Sequence, residues 1–114
     1  MSFTISSRNT AGVAVLDLNG RIVLGEETKR LEETLRDLAG RGEKKILLNL
    51  ADVTYIDSSG LGALVRSHTA VTELEGQIKL LNVPAKVQTL LKITKLHTLF
   101  ELYDTEAAAI ESFR

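Results

Sequence analysis

Apolar residues along this chain fall into short blocks, and the spacing within each block predicts its element. Phe3 to Arg8 and Val13 to Leu18 are rich in β-formers, with Asn9-Thr10-Ala11-Gly12 between them, the pattern of a hairpin with a four-residue loop. Gly20 is expected to break the second strand. From Glu26 to Ala39 the period changes: Leu31, Leu35, Leu38 and Ala39 line one face of a helix. Glu26 with Arg30, and Glu32 with Arg36, stand at i, i+4 in the favourable order for helix pairs. Acidic Glu26 and Glu27 open this helix and Gly40-Arg41-Gly42 closes it.

Lys45 to Leu50 is a nearly unbroken apolar run of strand length, as expected of a strand covered on both faces. Ala51 to Ile56 follows, then Asp57-Ser58-Ser59-Gly60, then a helix predicted to reach about Glu75. Its apolar stripe is Leu61, Leu64, Val65, His68 and Val71. Gly62, Ala63, Ser67 and Ala70 keep another side small, and Gly76 stops it. Ile78 to Val83 reads as a strand. Pro84 suits the first position of a third helix, with Val87, Leu90 and Leu91 turned inward. Leu99 to Tyr103 reads as a short last strand and Thr105 to Phe113 as a closing helix. The order β-β-α-β-α-β-α-β-α implies an α/β sheet with right-handed crossovers. Function in such sheets gathers in loops beyond the strand C-termini, which is where Asp57-Ser58-Ser59-Gly60 lies.

Composition then narrows the functions available. At 114 residues the chain has the size of one domain, expected to span 1–114, able to bury roughly two thirds of its unfolded surface. No apolar run approaches the roughly 20 residues of a membrane span. Met1-Ser2-Phe3-Thr4-Ile5 has neither the basic nor the apolar segment of an export signal, so a cytoplasmic location is expected. The absence of cysteine removes disulfides, thiol catalysis and cysteine-ligated metals. The two histidines, His68 and His97, lack the i, i+4 spacing of a helical metal pair. A net charge of −1, with both signs interspersed, leaves no basic face for nucleic acid. With two Tyr, three Phe and no Trp, base-stacking platforms are not expected either.

The segment that carries chemistry is Asp57-Ser58-Ser59-Gly60-Leu61-Gly62. Asp and Ser are both favoured N-caps, so its simplest role is to start a helix, and either Asp57 or Ser58 could supply the cap. The same geometry also suits a modification. A hydroxyl there sits beside free N–H groups and the positive end of the helix dipole. A phosphate would add about −1.5 to −2 charges beside Asp57, enough to abolish a protein interface without refolding the domain.

Ile46-Leu47-Leu48-Asn49-Leu50, then Val53, Tyr55 and Ile56, then Asp57-Ser58-Ser59-Gly60-Leu61-Gly62, resembles the signature of the STAS domain of anti-sigma-factor antagonists. The resemblance extends over nearly the whole chain, through Gly20, Gly76, Ile78-Lys79-Leu80-Leu81-Asn82 and Val87 to Leu96. It implies a mixed sheet of four to five strands with about four helices packed mainly on one side. It places the phosphoacceptor on Ser58, partner recognition on Asp57, and completion of the helix entry on Ser59 and Gly60. The implied partner is an anti-sigma factor that is also a serine kinase of the histidine-kinase-like ATPase fold. Unphosphorylated antagonist binds it and frees the sigma factor; phosphorylated antagonist lets go, and a serine phosphatase resets the switch. ATP and Mg²⁺ would belong to the kinase, so the resemblance implies neither a cofactor nor catalysis for this chain.

One stretch departs from the family pattern. After Gly20 the antagonists usually place an acidic residue, whereas this chain has Arg21-Ile22-Val23-Leu24-Gly25. That loop is expected to flank the Ser58 turn, with Arg21 bearing on partner identity. Val23 and Leu24 are either exposed partner contacts or a cap on the core beneath the first helix.

Rival functions lack their parts. Gly60-x-Gly62 has Val65 where a dinucleotide fingerprint needs a third small residue, and Asn82 and Val83 where it needs an acid. A hydrolase built on Ser58 needs a base within reach, and His68 lies about three helical turns along. The surviving alternative is a STAS adaptor, a module of a stress-signalling assembly or a lipid-transport complex without sigma-factor control.

Overall fold

The computed structural model describes residues 3 to 113; Met1, Ser2 and Arg114, the ends of the expected 1–114 domain, lie outside the described residues. In chain order it contains β1 (Thr4–Thr10), β2 (Val13–Ile22), α1 (Glu26–Gly40), β3 (Lys45–Ile56) and α2 (Ser58–Glu73). There follow β4 (Gln77–Leu81), α3 (Ala85–Ile93), a 3-10 turn (Leu96–Thr98), β5 (Leu102–Tyr103) and α4 (Glu106–Ser112). The strands form one mixed sheet in the order β1-β2-β3-β4-β5, antiparallel between β1 and β2 and parallel thereafter. Because the parallel strands advance in one direction and crossovers keep one hand, α1, α2 and α3 must share a face of the sheet. α4 follows the last strand, is free of that constraint, and packs on the opposite face.

Period-two alternation distributes the strand residues between two cores. Leu16, Leu18, Ile46, Leu48, Leu50, Ile78 and Leu80 face the three helices, whose Leu31, Leu35, Leu64, Val71, Val87 and Leu91 close over them. Val13, Val15, Leu47 and Leu81 face the other way, onto Ala109 of α4 and Phe113 just after it. This double burial accounts for the unbroken apolar run at Lys45 to Leu50. α4 is pinned at both ends. At its start Glu106 receives Arg8 of β1, which also holds Asp17 of β2. At its finish the buried Lys79 ammonium donates to the Ser112 carbonyl and hydroxyl, both at 3.0 Å, and lies 4.7 Å from the Phe113 ring centre.

Several boundaries differ from the sequence expectation, each for a physical reason. The hairpin loop is two residues, Ala11 and Gly12, not four. Both have positive φ (52° and 83°), the twist a two-residue connection needs. β2 does not end at Gly20. It runs on to Ile22 through register shifts against β3 on either side of that glycine, so Gly20 marks an irregularity inside a strand. α2 ends at Glu73, and the left-handed turn falls on Glu75 (φ 66°) rather than on Gly76. Pro84 is the N-cap of α3, one position before the expected one. The last strand shrinks to Leu102–Tyr103 because residues 96–98 coil into the 3-10 turn. Neither i, i+4 pair on α1 forms: Arg30 turns to the Phe3 carbonyl and ring, and Glu32 pairs with Arg66 of α2.

Candidate functional site at the start of helix α2

β2 and β3 lie in parallel and finish together, with Ile22 paired to Ile56. The chain leaves β2 through Val23, Leu24 and Gly25 into α1, and leaves β3 through Asp57 into α2. Asp57 joins these two exits. Its backbone is extended (φ −95°, ψ −176°) and its amide donates to the Ile22 carbonyl at 3.3 Å. Its Oδ1 accepts from the Gly60 amide at 2.7 Å, and its Oδ2 accepts from the Leu24 amide at 3.2 Å. Asp57 is therefore the resting N-cap, which decides between the two candidates. The Gly60 amide, then the Leu24 amide, hold its carboxyl below the usual carboxylate range.

Gly60 is required here by space. A Cβ on it would lie 2.1 Å from the Ile22 carbonyl oxygen, far inside contact distance, so only glycine lets the first turn of α2 abut the end of β2. Ser58, the first helical residue, is exposed, and its hydroxyl makes no hydrogen bond to the described residues. Ser59 is half-buried.

The other expected surface residues gather at the same end of the sheet. Arg21 is exposed, and its guanidinium stands 5.2 Å from the centre of the Tyr55 ring, its cross-strand neighbour. Leu24 is 76% exposed, whereas Val23 is half-buried. Leu24 is thus exposed and does not cap the core, while Val23 is intermediate in burial. Tyr55, half exposed, belongs to this surface although the sequence marked it only as part of a motif. Beside it, between β3 and α3, opens an apolar cleft of about 440 Å³ lined by Val53, Tyr55, Ile56, Val87 and Leu90 among others.

Neither histidine stands at the Ser58 turn. His68 is half-buried against Phe100, edge to face at 5.3 Å, and burial alone lowers its pKa. His97 is exposed in the 3-10 turn. Among the described residues no group of three or more His, Cys, Asp or Glu could hold a metal, and no helix is long and apolar enough to cross a membrane.

A protein-family model described as the STAS domain matches residues 4–109. The chain belongs to the STAS domain family. Its sheet of five strands with four helices is the STAS arrangement, and the motif around Ser58 falls within the matched span. The anti-sigma-B factor antagonist of Staphylococcus aureus is 33% identical over 72 residues, covering 63% of this chain and 67% of that protein. The crystal structure of the Thermotoga maritima protein TM1081 superposes with a TM-score of 0.86 at 28% identity, covering 95% of this chain and 92% of that one. The Bacillus cell fate determinant SpoIIAA in its phosphorylated form gives 0.74 at 20% identity, covering 99% and 100%, a likeness of fold.

Proposed function

We propose that this STAS protein is a cytoplasmic anti-sigma-factor antagonist that switches partners through phosphorylation of Ser58. The observation that carries this reading is an exposed hydroxyl, without a hydrogen bond among the described residues, on the first residue of a helix whose cap is supplied by its neighbour. Because Asp57 and not Ser58 holds the helix start, a phosphoryl group on Ser58 displaces no structural bond. It adds charge to a surface whose backbone is already fixed, beside a carboxylate held ionised. Partner recognition falls on Asp57, Ser58, Ser59 and Gly60, with Arg21, Val23 and Leu24 on the flanking loop. The partner is an anti-sigma factor that is itself a serine kinase of the histidine-kinase-like ATPase fold, bringing its own ATP and Mg²⁺, and a serine phosphatase restores the unmodified form. This chain performs no catalysis and carries no cofactor of its own.

The test pairs two substitutions with a mass measurement. Ser58→Ala should fold and bind the anti-sigma factor without regulation, and Ser58→Asp should fold with wild-type stability and bind at least tenfold more weakly. The kinase should add one phosphate, on Ser58. Absence of phosphate at Ser58 in cells and with the kinase, together with equal binding by both variants, would overturn the switch in favour of an adaptor.

A further inference from the structure

We infer that Arg66 is the cation within this chain that receives a phosphate on Ser58, an assignment that rests on the reading of Ser58 as the modified residue. Ser58, Gly62 and Arg66 follow one another at i, i+4 and i+8 along α2, the oblique ridge on which helix side chains meet. Helical side chains lean toward the N-terminus, so Arg66 extends back toward the start of α2. Between Arg66 and that start stands Gly62, which has no side chain to block it. The Arg66 Nη1 atom lies 3.1 Å from the point a Cβ of residue 62 would occupy. The guanidinium thus rests on bare helix backbone one turn from Ser58, about 6 Å along the axis.

Its hydrogen bonds are lopsided. Nε and Nη2 both donate to Oε2 of Glu32 on α1, at 3.1 and 2.8 Å, while Nη1 makes no hydrogen bond to the described residues. One edge of the fork is anchored on a neighbouring helix and the other is free beside Gly62, one turn from Ser58. The side chain is 58% exposed, so a phosphoryl group reaches it without any opening of the fold. Glu32, 19% exposed, engages the guanidinium through a single oxygen and leaves Nη1 free, so the phosphate need not displace it. A phosphate dianion offers three acceptor oxygens in the geometry an arginine fork prefers. Arg66 is in this account a positioning residue. It ties the phosphate down along α2 beside Asp57, so that the modified surface presents charge in one place. Aspartate at position 58 is too short to meet the fork, so Ser58→Asp should weaken partner binding less than phosphoserine does.

Asp57 next in the chain and Glu32 on the Arg66 fork disfavour the phosphate's second ionisation, whereas Arg66, and Arg21 at the end of β2, favour it. The experiment installs phosphoserine at position 58 during synthesis of the full chain, with no kinase involved, and follows its ³¹P resonance against pH. In the wild-type background the second phosphate pKa, ordinarily near 6, should be lower than in Arg66→Ala by about half a unit. Arg66→Lys should recover part of that difference, and Glu32→Gln, which frees the fork, should lower the pKa further. Titration curves that coincide for the wild type and Arg66→Ala, both shown folded by circular dichroism, would overturn the assignment. Because the phosphate is installed independently, failure of a kinase to modify Ser58 in cells would sink the proposed switch and leave this titration untouched.

Discussion

Helices α2 and α4 start with the same local device and are tied to the sheet in opposite ways. In each an extended cap residue accepts a hydrogen bond from the amide three positions on: Asp57 from Gly60 at 2.7 Å, Thr105 from Ala108 at 3.2 Å. After that they diverge. α4 is held through the side chain of its first helical residue, Glu106, whose carboxylate is taken up by Arg8. α2 is held through its cap, which also bonds the Leu24 amide, and through the bare backbone of Gly60 against the Ile22 carbonyl. The first helical residue of α2 therefore carries no structural duty. Anchoring by cap and backbone is what leaves the Ser58 side chain uncommitted while the helix stays in place, whereas the side chain at position 106 is committed to Arg8.

The largest test of this contrast is Gly60→Ala. Position 108 of α4, the counterpart of Gly60, already holds alanine. At position 60 the same methyl meets a backbone carbonyl at 2.1 Å and should cost about 3 kcal/mol in urea unfolding. Wild-type stability in that variant would break the claim that α2 abuts the end of β2. Next comes removal of the caps. Thr105→Ala should cost about 1 kcal/mol, as an ordinary cap does. Asp57→Ala, losing two amide partners instead of one, should lower the melting temperature further and also abolish binding of the anti-sigma factor. Equal melting temperatures would mean that the Leu24 bond contributes nothing.

The smallest effect separates the two anchors by salt. Both carboxyls are held low, Asp57 below its ordinary 3.8 by backbone amides and Glu106 below its ordinary 4.5 chiefly by Arg8. Groups with lowered folded pKa stabilise fully near neutral pH, and that stabilisation is lost as pH falls from those ordinary values through the folded ones. In 1 M salt, where screening reaches about 3 Å, the Glu106 part of the acid curve should shrink and the Asp57 part persist. Arg8→Ala should remove the salt-sensitive portion, and Asp57→Asn the insensitive one. A salt effect of equal size in both variants would show that the two starts are held alike.

Much of this was legible in the sequence, because the relevant signals are local. Helix faces at Leu31, Leu35 and Leu38, the doubly buried run at Lys45 to Leu50, and the Asp57-Ser58-Ser59-Gly60 turn all lie within a few residues of their own chain. What escaped is contact between distant segments. Nothing near Asp57 announces that its second oxygen serves Leu24, 33 residues earlier, or that Gly60 faces the Ile22 carbonyl. Glu32 offered a plausible local partner in Arg36 and took a tertiary one in Arg66. The hairpin loop is shorter than its sequence suggests because Ala11 adopts a positive φ that its residue type does not advertise.

The two-ended pinning of α4 has a consequence for solubility. Val13, Val15, Leu47 and Leu81 form an apolar strip across three adjacent strands, and α4 is its lid. Were that lid to peel away, the exposed strip would be sticky toward other copies of the same chain. Arg8 and Lys79, gripping opposite ends of seven residues of helix, thus act as guards against self-association on the face turned away from α1, α2 and α3.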